Sequence, residues 1–322
     1  MYVLRYMGDS ELYMNGQLLH ENRVIVFNPG SSIRDPKTQP IYYSDIISQF
    51  RPELKESKIV YEVKDIEYKF KGGKLGIHKL SFNEESGRLV GIMGASGAGK
   101  STLLFVLNGT NIPTSGQVLI NGVDIHRESE DIEGLIGFVS QDDLLIEELT
   151  VYQNLLYNAK LCFGNYTEEE IIETVNKVLK NLGLFEIRDM KVGSPLNKKI
   201  SGGQRKRLNI ALELIREPSV MFLDEPTSGL SSRDSENILD LLKELALKGK
   251  LVFVVIHQPS SDIFKMFDKL IILDTGGYLI YNGDPIESII YFKDKAHHAN
   301  WNESECTECG NVNPELVLKY SN

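Results

Sequence analysis

The chain has 322 residues, 42% of them hydrophobic and 25% charged, with a net charge of −10. This length exceeds the usual single domain, so one large domain with appendages, or two domains, is expected. The acidic balance argues against a general nucleic-acid binder. The longest apolar runs, such as 251–256 (LVFVVI), are far too short to cross a bilayer. No charged stretch followed by an apolar one opens the chain, so no secretory signal is expected, and an odd count of three cysteines suggests a reducing compartment.

Residues 1–57 read as a small β-rich appendage and linker: short apolar runs at 2–6, 11–13 and 24–27 are separated by turn signals at Asn15-Gly16 and 28–30. The turn at 30–34 is more naturally a surface loop than an anion site, 35–40 is a loop, and 51–57 is a charged linker. From Lys58 the pattern becomes strands, at 59–63, 66–70 and 77–82, which predict an antiparallel layer. An aromatic in this layer can stack on a purine ring. Phe70 is the candidate and Tyr68 the reserve, since period-two alternation puts both on one face.

The most specific stretch is Gly94, Ala95, Ser96, Gly97, Ala98, Gly99, Lys100, Ser101 and Thr102, between the apolar run 88–93 and the helical run 103–107. It fits the phosphate-loop pattern G-x-x-x-x-G-K-[ST] in the strand-then-helix context that the pattern requires. The glycines let backbone N–H groups converge on phosphate oxygens, the helix start adds its positive dipole end, Lys100 reaches the terminal phosphates, and the Ser101 hydroxyl can ligate Mg²⁺.

Downstream, 117–120 and 123–125 flank the turn Asn121-Gly122, and the short buried strand 136–139 ends at Gln141. At that edge Gln141 can touch Mg²⁺ or an attacking water. Residues 150–195 are helical in pattern, with a capping box at Thr167 and Glu170 and a stop at Gly183. Ser201, Gly202, Gly203 and Gln204 then open a further helix and offer a second phosphate-facing N-terminus, followed by the basic run 205–207. The strand 220–224 delivers Asp224, suited to Mg²⁺, and Glu225, expected to face the other way and to polarise a water. The strand 251–256 ends at His257, which can bond the γ-phosphate. Runs at 270–273 and 278–281 predict a closing hairpin.

Taken in this order, residues 58–290 resemble the ATP-binding cassette of ABC transporters, most closely the ABCG or White-type half-transporters. The signature-like ISGGQ at 200–204 carries most weight, with QDD at 141–143, PTSGL at 226–230 and IHQPSS at 256–261 giving the subfamily flavour. The resemblance implies an α/β fold, a P-loop NTPase (RecA-like) core with an antiparallel β subdomain and an inserted α-helical subdomain at about 142–215, plus the N-terminal β appendage. It implies ATP and Mg²⁺ as cofactors. Glu225, His257 and Gln141 take the catalytic roles, and Ser101, Gln141 and Asp224 hold the metal. A second cassette, identical or different, pairs head to tail so that Ser201 to Gln204 of one chain cover the other's ATP. A transmembrane domain, fused or separate, completes a transporter at the cytoplasmic face of a membrane, and no nucleic acid is expected.

One departure stands out: after residue 230 the family usually carries an aspartate where this chain has Ser231 and Ser232, which bears on communication between the two ATP sites. Residues 291–322 read as a tail or linker toward a membrane domain. There Cys306, Cys309, His297 and His298 can supply four zinc ligands, although adjacent histidines seldom share an ion and a second C-x-x-C is absent. Two other classes compete with the transporter ATPase: a regulatory ATP-binding module that hardly turns over, and a nucleic-acid or ribosome-associated cassette, which usually has coiled coils or tandem cassettes not found here.

Overall fold

The computed structural model describes residues 2–8, 11–14, 17–27, 32–35, 41–42, 59–127, 132, 134–194, 197, 199–297, 304–305 and 311–319. The linker at 51–57, the turn at 30–31, and Cys306, Cys309 and His298 of the proposed zinc set lie outside the described residues.

The N-terminal part forms short strands: β1 (Tyr2–Arg5), β2 (Tyr13–Met14), β3 (Gln17–Leu18), β4 (Val24–Phe27), β5 (Ser32–Arg34) and β6 (Ile41–Tyr42). β1 pairs with β4, and the others form a small sheet in the order β3-β2-β5-β6. Leu19, Phe27 and Ile33 make a miniature core of their own.

An antiparallel layer follows, from β7 (Val60–Lys69) and β8 (Leu75–Glu85). The sequence divides β7 into two strands; the structure keeps one, bent at Asp65, which takes a left-handed φ of 51° with a register shift between Val63 and Ile66. That bend presses backbone against Gly116, where a Cβ would come within 2.4 Å of the Asp65 carbonyl and where φ is +84°. Gly116→Ala is therefore expected to lose about 3 kcal/mol of stability, read as a lowered urea midpoint.

The central strands are β9 (Leu89–Gly94), then, after helix α1 (Lys100–Leu107) and the strands β10 (Ser115–Ile120) and β11 (Val123–Asp124), β12 (Ile136–Val139). Helices α2 (Val151–Cys162), α3 (Glu168–Asn181) and α4 (Gly202–Leu214) come next. The sheet resumes with β13 (Val220–Asp224), helix α5 (Ser232–Leu247), β14 (Leu251–Val255), helix α6 (Ser261–Met266), β15 (Lys269–Asp274) and β16 (Tyr278–Gly283). Helices α7 (Pro285–Lys295) and α8 (Glu315–Lys319) close the chain. Asn121 and Gly122 are both left-handed between β10 and β11, as a tight hairpin requires. Thr167 and Glu170 form the expected capping box, and Thr150 with Gln153 forms another at the start of α2.

The central sheet runs β12-β13-β14-β9-β15-β16, parallel except for β16. β9, β13 and β14 are buried throughout, which explains their unbroken apolar sequences: helices or a second sheet cover both faces. Alternate residues divide between two cores. Met221, Leu223, Val252 and Val254 meet the helices, whereas Phe222, Phe253, Val90 and Ile92 meet α1 and the antiparallel layer. On that second face Phe222 and Phe253 stack at 5.0 Å, Tyr61 of β7 packs on Phe253 at 5.3 Å, and the Tyr61 hydroxyl donates to the Leu107 carbonyl at the end of α1. The architecture is thus a P-loop α/β core flanked by an antiparallel β layer and a helical layer.

Candidate active site

Four neighbouring strands end at one edge of the sheet. β12 leads to Gln141, β13 to Asp224 and Glu225, β14 to His257, and β9 to the loop 94–99. Carboxyl ends of parallel strands at such an edge form the usual ligand crevice of open α/β sheets.

The loop is built for an anion. Gly99 caps α1 with φ 92° and no side-chain cap, so the first amides of the helix stay free to donate outward. A Cβ at Gly99 would also lie 2.9 Å from the Gly76 carbonyl of β8, so glycine is required twice over. Lys100 is 8% exposed and its ammonium donates to the carbonyls of Gly94 at 3.0 Å and Ala95 at 2.9 Å, which lays it along the loop. Burial lowers its pKa, and the nearby Glu225 and Asp224 carboxylates oppose that shift.

Asp224 is 7% exposed and accepts from the Ser101 hydroxyl at 3.3 Å. Burial raises its carboxyl pKa, and the Glu225 charge adds to the rise, while Ser101, Lys100 and Lys206 act against it. A buried carboxylate beside a hydroxyl offers oxygen donors of the kind Mg²⁺ takes. The Gln141 side-chain amide donates to Glu225 at 3.2 Å, so the ends of β12 and β13 are joined directly.

Strand alternation predicts that Glu225 faces away from Asp224. In the structure both carboxylates act on the charges of Lys100 and Lys206, while Asp224 meets Ser101 and Glu225 turns to Gln141. The reason lies in the backbone: Glu225 has left β13, its φ is 44°, and its amide donates to the Val255 carbonyl at 3.1 Å. Gln258, which follows His257 beyond the end of the adjacent strand β14, is likewise left-handed at φ 48°. Two non-glycine residues in this region at neighbouring strand ends are a costly arrangement of the kind that clusters at functional sites.

The exposed Phe70 sits edge-on to Tyr68 at 5.3 Å, and its ring covers Gly76, whose carbonyl borders Gly99. Phe70 is therefore on the rim of the phosphate loop, while Tyr68 is half-buried against the apolar core. Ser201 is exposed at the tip of α4. Its oxygen accepts from the Gln204 amide at 3.1 Å, and the Gln204 side chain accepts from the Ser201 amide at 2.8 Å, so the capping box leaves the hydroxyl proton free to donate. Gly203 has to be small because a Cβ there would lie 2.9 Å from Asp234. At the departure from the family pattern, Ser231 caps α5, bonding the Asp234 amide at 3.2 Å and its carboxylate at 2.9 Å.

Sequence reasoning left the basic run at 205–207 without a role. In the structure Arg205, almost fully buried, forms a bidentate pair with Asp143 at 2.7 and 2.9 Å, and Lys206 donates to the Gln141 carbonyl. The helix that Ser201 opens is therefore fastened to the segment that holds Gln141. The opposite charges of QDD and RKR were visible in the sequence, but nothing in it pairs them across 62 positions.

Among the described residues, no group of His, Cys, Asp and Glu is arranged as a metal cluster, and no helix is long and apolar enough to cross a membrane.

Comparison with known proteins agrees with this geometry. Residues 77–228 match the family model described as ABC transporter, and 257–296 match one described as ABC-2 type transporter. The chain is 37% identical over 276 residues to the ABC-type transporter claG of Penicillium crustosum, covering 79% of this chain and 37% of that protein. It is 38% identical over 258 residues to the putative white-brown complex homolog protein 30 of Arabidopsis thaliana, covering 78% of this chain and 24% of that one. It is 36% identical over 277 residues to the broad substrate specificity ATP-binding cassette transporter ABCG2 of Rattus norvegicus, covering 84% and 40%. The chain thus spans well under half the length of these curated relatives. Among solved structures, cbiO1 from Clostridium perfringens, part of the ABC transporter complex cbiONQ, aligns with a TM-score of 0.64 at 27% identity, covering 74% of this chain and 95% of that one. The ADP conformation of MJ1267, an ATP-binding cassette of an ABC transporter, aligns with a TM-score of 0.65 at 25% identity, covering 74% and 97%. Phosphate loop, strand-end acids and signature helix, arranged in this order on this sheet, place the chain among the ATP-binding cassettes of ABC transporters, in the White-type or ABCG branch.

Proposed function

We propose that this chain binds and hydrolyses ATP to drive a membrane transporter. The observation that carries the reading is the convergence at one sheet edge of the Ser101–Asp224 and Gln141–Glu225 hydrogen-bonded pairs with Lys100, which is held along the loop by the Gly94 and Ala95 carbonyls. In this reading the loop 94–102 cradles the phosphates, Phe70 stacks on the base, and Ser101, Asp224 and Gln141 hold Mg²⁺. Bound there, Mg²⁺ would neutralise charge on the terminal phosphates. Glu225 accepts a proton from the attacking water, Gln141 orients Glu225, and His257 donates to the γ-phosphate.

Residues 58–290 act as the cassette, with the appendage 1–57 before it and 291–322 leading toward a membrane-embedded part, at the cytoplasmic face of the membrane. The membrane partner meets the helical layer, where Leu144, Ile146, Tyr157, Leu161 and Met190 are exposed around the start and outer face of α2. Leu161 is 87% exposed, which argues for a covering partner when so many apolar neighbours share the surface. No nucleic-acid role follows from a chain of net charge −10.

Two copies of the cassette, or this one and a different one, close head to tail so that Ser201 and the amides of Gly202 and Gly203 cap the ATP held by the partner. The exposed tip of α4 and the free hydroxyl proton of Ser201 support this. With MgATP, the Glu225→Gln chain is expected to double its mass in light scattering, and adding Ser201→Arg is expected to keep it monomeric. A closed dimer that forms despite Ser201→Arg would refute the capping role.

A further inference from the structure

The N-terminal appendage has no role in the reading above, yet one of its side chains reaches the catalytic framework. Ile33 of β5 is buried in the appendage core, which fixes its neighbour Arg34 in space. The Arg34 guanidinium donates to the Asp262 carboxylate at 2.9 Å and to the Glu236 carboxylate. These partners lie 228 and 202 positions away in the sequence. The pairs are half sheltered from water: side-chain exposure is 36% for Arg34, 14% for Glu236 and 21% for Asp262.

The location of the two acids gives the contact its meaning. Glu236 is on α5, the helix that Ser231 caps after the acid-bearing end of β13. Asp262 is on the first turn of α6, which begins just past His257 at the end of β14. α5 and α6 pack side by side, so the two carboxylates face each other across the joint between them. Burial pushes the Glu236 carboxyl above its ordinary pKa, Asp262 pushes it further, and Arg34, with Arg233, opposes the rise. Like charges in such a place repel unless a cation sits between them. Arg suits that task because its planar fork can donate to two carboxylates at once.

Resting on the ATPase reading, we propose that the appendage is a positioning element of the active site. Arg34 is the shared counter-ion of Glu236 and Asp262 and sets the spacing between the segment that carries Glu225 and the segment that carries His257. The appendage touches neither nucleotide nor reacting water; it acts through α5 and α6.

The test compares steady-state MgATP hydrolysis of the whole chain in six forms: wild type, Arg34→Ala, Arg34→Lys, Glu236→Gln with Asp262→Asn, and that double change combined with Arg34→Ala or with Arg34→Lys. Arg34→Ala is expected to lower kcat about five-fold with KM changed less than about two-fold, since the phosphate loop is untouched. Arg34→Lys is expected to recover part of that loss, because an ammonium still offers a cation but not the fork. Where the two acids are already neutral, removing Arg34 is expected to change kcat by less than about 1.5-fold. The same loss in both backgrounds, or no loss in either, would overturn the proposal. If Arg34→Ala does not fold, the comparison of Arg34→Lys in the two backgrounds decides the matter in the same way. Hydrogen exchange gives an answer that does not depend on turnover: amides at 232–239 and 261–266 exchange faster in Arg34→Ala than in wild type, and unchanged exchange counts against the proposal. A wild-type chain with no ATPase activity would defeat the functional reading alone, leaving exchange to decide whether Arg34 holds the two helices.

Discussion

Lys100→Ala is expected to weaken MgATP binding by at least about 100-fold, measured by titration calorimetry, because two charge-assisted bonds to phosphate are worth about 1.5–3 kcal/mol each. The structure supplies the ground for this estimate. Lys100 is 8% exposed, its ammonium is already oriented by the Gly94 and Ala95 carbonyls, and it stands at the first position of α1, whose N-terminus has no side-chain cap. Removing it takes away one of the two lysines that act on Asp224 and Glu225, so an incoming polyphosphate meets carboxylates balanced by Lys206 alone. Alanine is the best helix former, so the melting temperature should shift only slightly. Retained affinity would contradict the placement of the nucleotide.

Glu225→Gln is expected to do the opposite to the two observables. Binding persists, because the change keeps the size of the side chain and leaves Gln141 an oxygen to donate to. Turnover falls by about 100- to 1,000-fold, because an amide cannot accept the water's proton. Phosphate release under saturating MgATP separates the outcomes. Equal near-zero rates in wild type and variant would mean that the chain is a regulatory module rather than a motor.

Much of this site is legible in the sequence because its parts are local. The phosphate loop needs eight consecutive residues, the Thr167 cap needs four, and the strand ends announce themselves through unbroken apolar runs such as 220–223. What the sequence hides is of two kinds. One is backbone that breaks its own period: Asp65 turns two strands into a single bent one, and Glu225 leaves the alternation and meets Gln141 because the strand has ended a residue earlier. Alternation is a property of extended chain, so it fails where the chain turns left-handed. The other is pairing at a distance. Asp143 with Arg205, and Arg34 with Glu236 and Asp262, are ordinary charged residues until the fold brings them together. Surface charges are plentiful enough that composition cannot select the pairs.

The aromatic cluster of Tyr61, Phe222 and Phe253 has a mechanical meaning. It welds the antiparallel layer to the sheet through close-packed rings, an attachment that cannot slide without losing contact everywhere at once. The helical layer is packed on the opposite face of the sheet through Leu208, Ile210 and Leu214 of α4 against Met221 and Leu223, and Arg205 on Asp143 adds a polar tie at the catalytic edge. Phe70, which follows β7, is thereby anchored to the same sheet that ends in the phosphate loop.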